Sequence, residues 1–110
     1  MSSIHVEIQK KRLDAEGIKF FVEEQGKEVA RAYFYLLMDD LNPEPIGFMR
    51  EVYIIREDYG SLLVENVVKE AKQRGCYKLI CASRHGSRIQ ELLKKSGFKG
   101  FGLEFRMDFY

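Results

Sequence analysis

The sequence predicts one α+β domain with a mixed, mostly antiparallel sheet and elements in the order ββββ-α-β-α-β. Three observations predict it. Apolar residues alternate with polar ones through the first half of the chain, the period of strands with one wet face. The period turns helical near Ser61, where Leu63, Val67 and Ala71 recur every four residues. A short apolar run, Tyr77 to Ala82, then lies between two helical stretches. A strand–helix–strand unit of this kind implies a parallel pair with a right-handed crossover. At 110 residues the chain is expected to form one core and one domain, 1–110.

Each element has its own signal. Ile4, Val6 and Ile8 alternate with His5, Glu7 and Gln9, which reads as a first strand. Asp14-Ala15-Glu16-Gly17 is turn-like, and Ile18 to Glu24 is a second strand. Gln25-Gly26-Lys27 makes a tight turn, because glycine takes the positive φ such turns need. Val29 to Met38 is a long β-rich run, and Asp39 to Pro45, with Asn42 and both prolines, is a loop. Ile46 to Ile55 is the fourth strand. Asp58 is a candidate N-cap for a helix from about Ser61 to Arg74, with Gly75 as its stop. Tyr77 to Ala82 is a strand of buried type. Ser87 to Ser96 is a second helix, with Ile89, Leu92 and Leu93 on its apolar side and Gly97 after it. Phe101 to Tyr110 closes the fold as one strand, with Leu103, Phe105, Met107 and Phe109 on one face.

Composition excludes several function classes. Lys plus Arg number 18 and Asp plus Glu 17, a net charge of +1. Nucleic-acid binding draws on a surplus of cations to displace counterions, so no nucleic-acid partner is expected. Lys10-Lys11-Arg12 and Lys94-Lys95 read as solvated faces. Tyr33-Phe34-Tyr35 has the makings of a base-stacking platform, but its neighbours alternate like a sheet, which favours core with wet aromatics. No apolar run approaches the ~20 residues of a membrane helix, and the N-terminus lacks a signal-peptide pattern. The two histidines, His5 and His85, have no ligand spacing, so no metal is expected. Cys76 and Cys81 fit neither a zinc knuckle nor a redox CxxC. They read as reduced core residues of a cytoplasmic protein, pointing to opposite faces if both lie on one strand.

Five segments carry a resemblance. They are Val29-Ala30-Arg31-Ala32-Tyr33-Phe34-Tyr35, Ile46-Gly47-Phe48-Met49-Arg50-Glu51-Val52-Tyr53-Ile54 and Ala71-Lys72-Gln73-Arg74-Gly75-Cys76-Tyr77-Lys78-Leu79-Ile80. Ser96-Gly97-Phe98 and Glu104-Phe105-Arg106-Met107 complete the set. In this order, over 28–109, they resemble the GNAT family of acetyl-CoA-dependent N-acetyltransferases. The resemblance implies a GNAT-like (acyl-CoA N-acyltransferase) fold in which the fourth strand and the next parallel strand splay apart. Acetyl-CoA would lay its pantetheine arm along Val52, Tyr53, Ile54 and Ile55 as an added strand. Its pyrophosphate would sit on the free amides of a helix start at Gly60, Ser61 and Leu62. Ser83 and Arg84 would lie near the cofactor, and Glu51 would serve as general base toward the acceptor amine.

Three departures from the family pattern bear on activity. The connection Arg56-Glu57-Asp58-Tyr59-Gly60-Ser61 is about four residues short and keeps one glycine, where phosphate cradles need several for close backbone approach. Asp58 is placed to fill the anion site with its own carboxylate. Leu93 stands where many members carry a proton-donating tyrosine, two residues after Glu91. The first 27 residues hold β-type segments in place of acceptor-side helices. The sequence therefore supports an N-acetyltransferase of an unidentified amine, with a catalytically inactive GNAT-like binding or interaction module as the alternative. An aromatic sheet without two covering helices further predicts an apolar patch that a second copy buries, making a homodimer.

Overall fold

The computed structural model describes residues 7–13, 15–38, 43–82, 87–101 and 104–109. Its elements are β1 (Ala15–Glu24), β2 (Lys27–Leu37), β3 (Ile46–Ile54), α1 (Glu57–Gln73), β4 (Lys78–Ala82), α2 (Ser87–Lys95), β5 (Lys99–Phe101) and β6 (Glu104–Asp108). They form one six-stranded sheet in the order β1-β2-β3-β4-β6-β5. β3 and β4 run parallel, and every other neighbouring pair is antiparallel. The fold class is the expected mixed α+β, with α1 as the crossover between the parallel strands.

Two strands differ from expectation. Ile4, His5 and Val6 lie outside the described residues, and Glu7, Ile8 and Gln9 form no strand. Ile8 is 87% exposed, so the alternation there has no partner to bury it. An apolar period fixes a strand only where a neighbouring strand and a core receive it. Ala15, Glu16 and Gly17 of the turn-like stretch belong instead to β1, paired from Ala15 opposite Leu37, and Asp14 lies outside the described residues. The closing run is a hairpin of β5 and β6, not one strand. Gly100 and Gly102 punctuate that run, and a two-residue period carries no signal for where a chain reverses. Phe105 and Met107 keep the inward face foreseen for them; Leu103 lies outside the described residues.

The core lies on one side of the sheet. Phe34, Met49, Leu79 and Phe105 supply its floor, and α1 covers them with Val64, Val67 and Ala71. Leu92 and Leu93 of α2 complete it. Gly75 (φ 76°) and Gly97 (φ 98°) end the two helices in the left-handed conformation, as their positions predicted. Gly47 leaves room for an aromatic ring: a Cβ there would come within 2.9 Å of the Phe34 ring and 3.1 Å of Leu79. An ion pair between Arg74 and Glu16 ties the end of α1 to β1.

Cys76 follows α1 and does not lie on β4, so the opposite-faces expectation does not arise; both thiols are reduced and face the same core. Burial pushes the Cys81 thiol up to about 12 from its ordinary 9.0, and pushes Cys76 up as well. In the unfolded chain these thiols ionise near their ordinary value, whereas the folded chain holds them neutral. Their contribution to stability is complete below that value and is lost as pH rises from it toward the folded pKa. Urea midpoints are therefore expected to fall between about pH 8 and pH 10.5, and Cys81→Ala is expected to flatten that fall. A midpoint equally pH-sensitive in the variant would assign the effect to other groups.

Candidate functional site

The parallel pairing is short. Ile46 to Met49 of β3 lie beside Lys78 to Cys81 of β4, in register. β3 then continues from Arg50 to Ile54, and among the described residues no strand pairs with it there on the β4 side. Beyond Met49 and Cys81 the two strands share no ladder among the described residues, which leaves a gap in the pairing at their carboxyl ends; residues 83–86 lie outside the described ones. In open α/β sheets that end of a parallel pair is where ligands bind.

A β-bulge marks the same place. Arg31 of β2 pairs with Tyr53 and Tyr33 pairs with Arg50, so Ala32 stands opposite both Glu51 and Val52. Neither of those residues has a ladder partner in β2. Bulges of this kind bend a strand and end its regular pairing. Beyond the bulge, the Ile55 N–H donates to the Val29 carbonyl oxygen at 3.1 Å. Peptide groups alternate along a strand, so Tyr53 and Ile55 address β2 while the N–H and C=O of Ile54 point into the gap. This bulge could not be read from the residues of either strand alone. It depends on the register of two strands, and no residue type demands it.

The helix start differs from expectation. α1 begins at Glu57, with Arg56 as an extended N-cap (φ −124°, ψ 141°) that makes no side-chain cap bond. Asp58 is therefore not the N-cap but the second helical residue. Acidic residues suit the positive end of a helix, which explains a start directly on Glu57-Asp58. The Tyr59 and Gly60 N–H groups both donate to the Arg56 carbonyl oxygen, at 3.2 and 3.3 Å. Gly60 is consequently the fourth residue of α1, and Ser61 and Leu62 follow on its exposed side. The free amides that open a helix lie in its first turn, before these positions.

Gly60 has a packing role instead. A Cβ on it would lie 2.7 Å from Leu92 and 2.8 Å from Ile54. Its missing side chain lets the first turn of α1 close onto the end of β3 and onto α2. Leu93 is completely buried, so core packing occupies the position of the family's tyrosine acid.

The predicted residues thus separate into groups. Glu51, Val52, Tyr53 and Ile54 sit together on β3 at the gap, with Ile55 just beyond. Gly60 closes the base of the gap, and Ser61 and Leu62 turn outward. Ser83, Arg84 and His85 lie outside the described residues, as does His5.

The outer sheet face carries a second polar network. Lys19 and Arg31 both pair with Glu28; the Glu28 hydrogen bond raises the Lys19 pKa, and the two cations, Lys19 foremost, hold the Glu28 carboxyl below its usual range. The Lys19 ammonium lies 5.0 Å from the Phe21 ring centre, and the Arg31 guanidinium 4.9 Å from that of Tyr53. Phe21, Tyr35 and Tyr53 stay 41–50% exposed on this face. A separate shallow cleft, about 330 Å³, is lined by Lys72, Cys76, Met107, Asp108 and Phe109. It lies at the amino end of β4, away from the gap, and so away from where parallel strands present ligands.

No family model and no curated protein matches the sequence. Solved structures do match in fold. The chain is similar to the crystal structure of FemX, with a TM-score of 0.60 and 15% identity over 77% of this chain. It spans 23% of the FemX chain. It also matches the structure of the AtaT–AtaR complex bound to DNA, with a TM-score of 0.47 and 16% identity, over 73% of this chain and 68% of that one. The fold is GNAT-like: a mixed, mostly antiparallel sheet with the parallel pair β3–β4 and two helices. No helix among the described residues is long and apolar enough to cross a membrane.

Proposed function

We propose that the chain is an N-acyltransferase that moves an acyl group from a thioester to an amine, with acetyl-CoA as the reference donor. The stretch of β3 beyond its pairing with β4, Arg50 to Ile54, carries this reading. A strand with peptide groups turned into a gap can accept an extended, amide-bearing chain as a further strand, and a pantetheine arm is such a chain. Val52 to Ile55 would line it; Ser83 and Arg84, which the resemblance also assigns to the cofactor, lie outside the described residues. The thioester carbon would then lie near the bulge at Glu51. Glu51, or a water it holds, would take the proton as the amine nitrogen forms the new C–N bond. The C–S bond breaks, and the departing thiolate takes up a proton. Two buried reduced thiols suit a reducing compartment, the cytoplasm.

Calorimetric titration with acetyl-CoA, followed by a thiol-release assay against an amine panel, tests the reading. The absence of both binding and release would remove it. The gap makes a sharper prediction. Amide exchange at Val52 and Ile54 is expected to be fast in the free protein and to slow when donor is added. Tyr53 and Ile55, directed at β2, are expected to be protected in both states. Equal protection of all four without ligand would mean that the gap is closed.

A catalytically inactive binding module is favoured by one observation, the start of α1 immediately after Arg56 with no glycine-rich loop. The reading also includes a second copy on the outer sheet face. That face sets Lys19 and Arg31 beside Glu23 and Glu28, so a two-fold partner can oppose unlike charges over Phe21, Tyr35 and Tyr53. Sedimentation is expected to show a dimer, and a monomer at all concentrations would remove it.

A further inference from the structure

We propose that the donor site recognises an acyl thioester by its pantetheine arm alone and takes nothing from a nucleotide diphosphate. Its donor is then an acyl-pantetheine thioester without the ADP end, either free or borne on a carrier through a single phosphodiester. The inference rests on the acyltransferase reading and narrows its donor.

Four observations at the junction of β3 and α1 carry it. First, only Ile55 and Arg56 separate the strand from the helix. Two residues reach roughly 7 Å, too little for a loop that wraps a diphosphate. Second, the first two helical positions are the acids Glu57 and Asp58. The exposed Asp58 carboxylate already compensates the positive helix end, and a diphosphate brought there would meet like charge. Third, Gly60 cannot serve as a point of close phosphate approach, since Ile54 and Leu92 occupy the space beside it. Fourth, the cation at the junction is engaged: Arg56 pairs with Glu24 at 3.4 Å and lies 5.5 Å from the Tyr59 ring centre. The opposite holds for the arm itself. The Ile54 peptide group faces the gap, with chemistry that matches the two amides of pantetheine.

The experiment compares dissociation constants for S-acetyl-pantetheine, acetyl-CoA and an acetylated phosphopantetheinyl carrier protein, using the full chain. S-acetyl-pantetheine is expected to bind within about threefold of acetyl-CoA. Tighter binding of acetyl-CoA beyond that margin would overturn this inference and leave the acyltransferase reading standing. Failure of all three donors to bind would overturn both. Among supporting outcomes, a preference for the carrier identifies the carrier-borne arm, and equal affinity identifies the free thioester. A second measurement isolates the charge argument. Asp58→Asn is expected to tighten acetyl-CoA roughly two- to fivefold while leaving S-acetyl-pantetheine unchanged. An equal change for both donors would show that Asp58 does not act on the diphosphate.

Discussion

Phe34→Ala is expected to lower the unfolding free energy by about 3–5 kcal/mol, read as a fall in the urea midpoint at unchanged slope. Phe34 is 1% exposed and lies centrally on β2, opposite Ile18 of β1 and Met49 of β3. Its ring fills the space that Gly47 leaves open. Truncation removes the ring and leaves a cavity under α1, which the surrounding strands cannot close without losing their register. A domain of this size is stable by only about 5–15 kcal/mol, so this one change removes a large fraction of the total. The control is the next residue. Tyr35 faces outward at 41% exposure, and Tyr35→Ala is expected to cost less than about 1 kcal/mol. The comparison is made at concentrations low enough to keep the chain monomeric, where Tyr35 is free of the second copy proposed above; equal losses there would mean that Tyr35 packs into the core of the single chain.

That contrast shows what the sequence could reveal. The alternation around Phe34 states which residues share a face, and the four-residue period of Leu63, Val67 and Ala71 states which side of α1 meets them. Both survive because burial enforces them. The glycines after the helices were legible for a related reason: only a residue free of a Cβ takes φ 76° or 98° without strain. Ile8 sits in a stretch with the period of a strand, but Glu7 to Gln9 form none and Ile8 stays exposed. The hairpin of β5 and β6 was hidden because reversal of a chain leaves no trace in a two-residue period.

The site was legible in position and not in form. Val52 to Ile54 are site residues by resemblance alone; the structure puts them on β3 beyond its ladder with β4. The bulge opposite Ala32 could not be read, since it is a property of two strands together. Gly60 was misread for a physical reason. One glycine near a helix start serves phosphate approach or helix packing equally well, and only the positions of Ile54 and Leu92 decide between them. The acids Glu57 and Asp58 were visible throughout, but their meaning depended on where α1 begins. A start at Ser61 leaves them in a loop; a start at Glu57 puts them at the positive end of the helix.

Glu51→Gln is expected to reduce kcat/KM for acyl transfer by about a hundredfold or more, with donor affinity unchanged. The substitution keeps size and hydrogen-bonding reach while removing the basic oxygen. Glu51 occupies the bulge on β3, without a ladder partner in β2 and one residue before the stretch that faces the gap. The urea midpoint is measured beside the rate, and a midpoint within about 0.5 kcal/mol of the parent separates a loss of chemistry from a loss of fold. The pH profile separates a base from a merely structural residue. With Glu51 as the base, kcat/KM rises with pH as the carboxyl ionises, and the variant loses that rise. A variant that keeps both rate and profile would exclude Glu51 and leave solvent to accept the proton. A variant that loses donor affinity as well would mean that Glu51 holds the bulge in place, and that its effect on rate passes through the geometry of the gap.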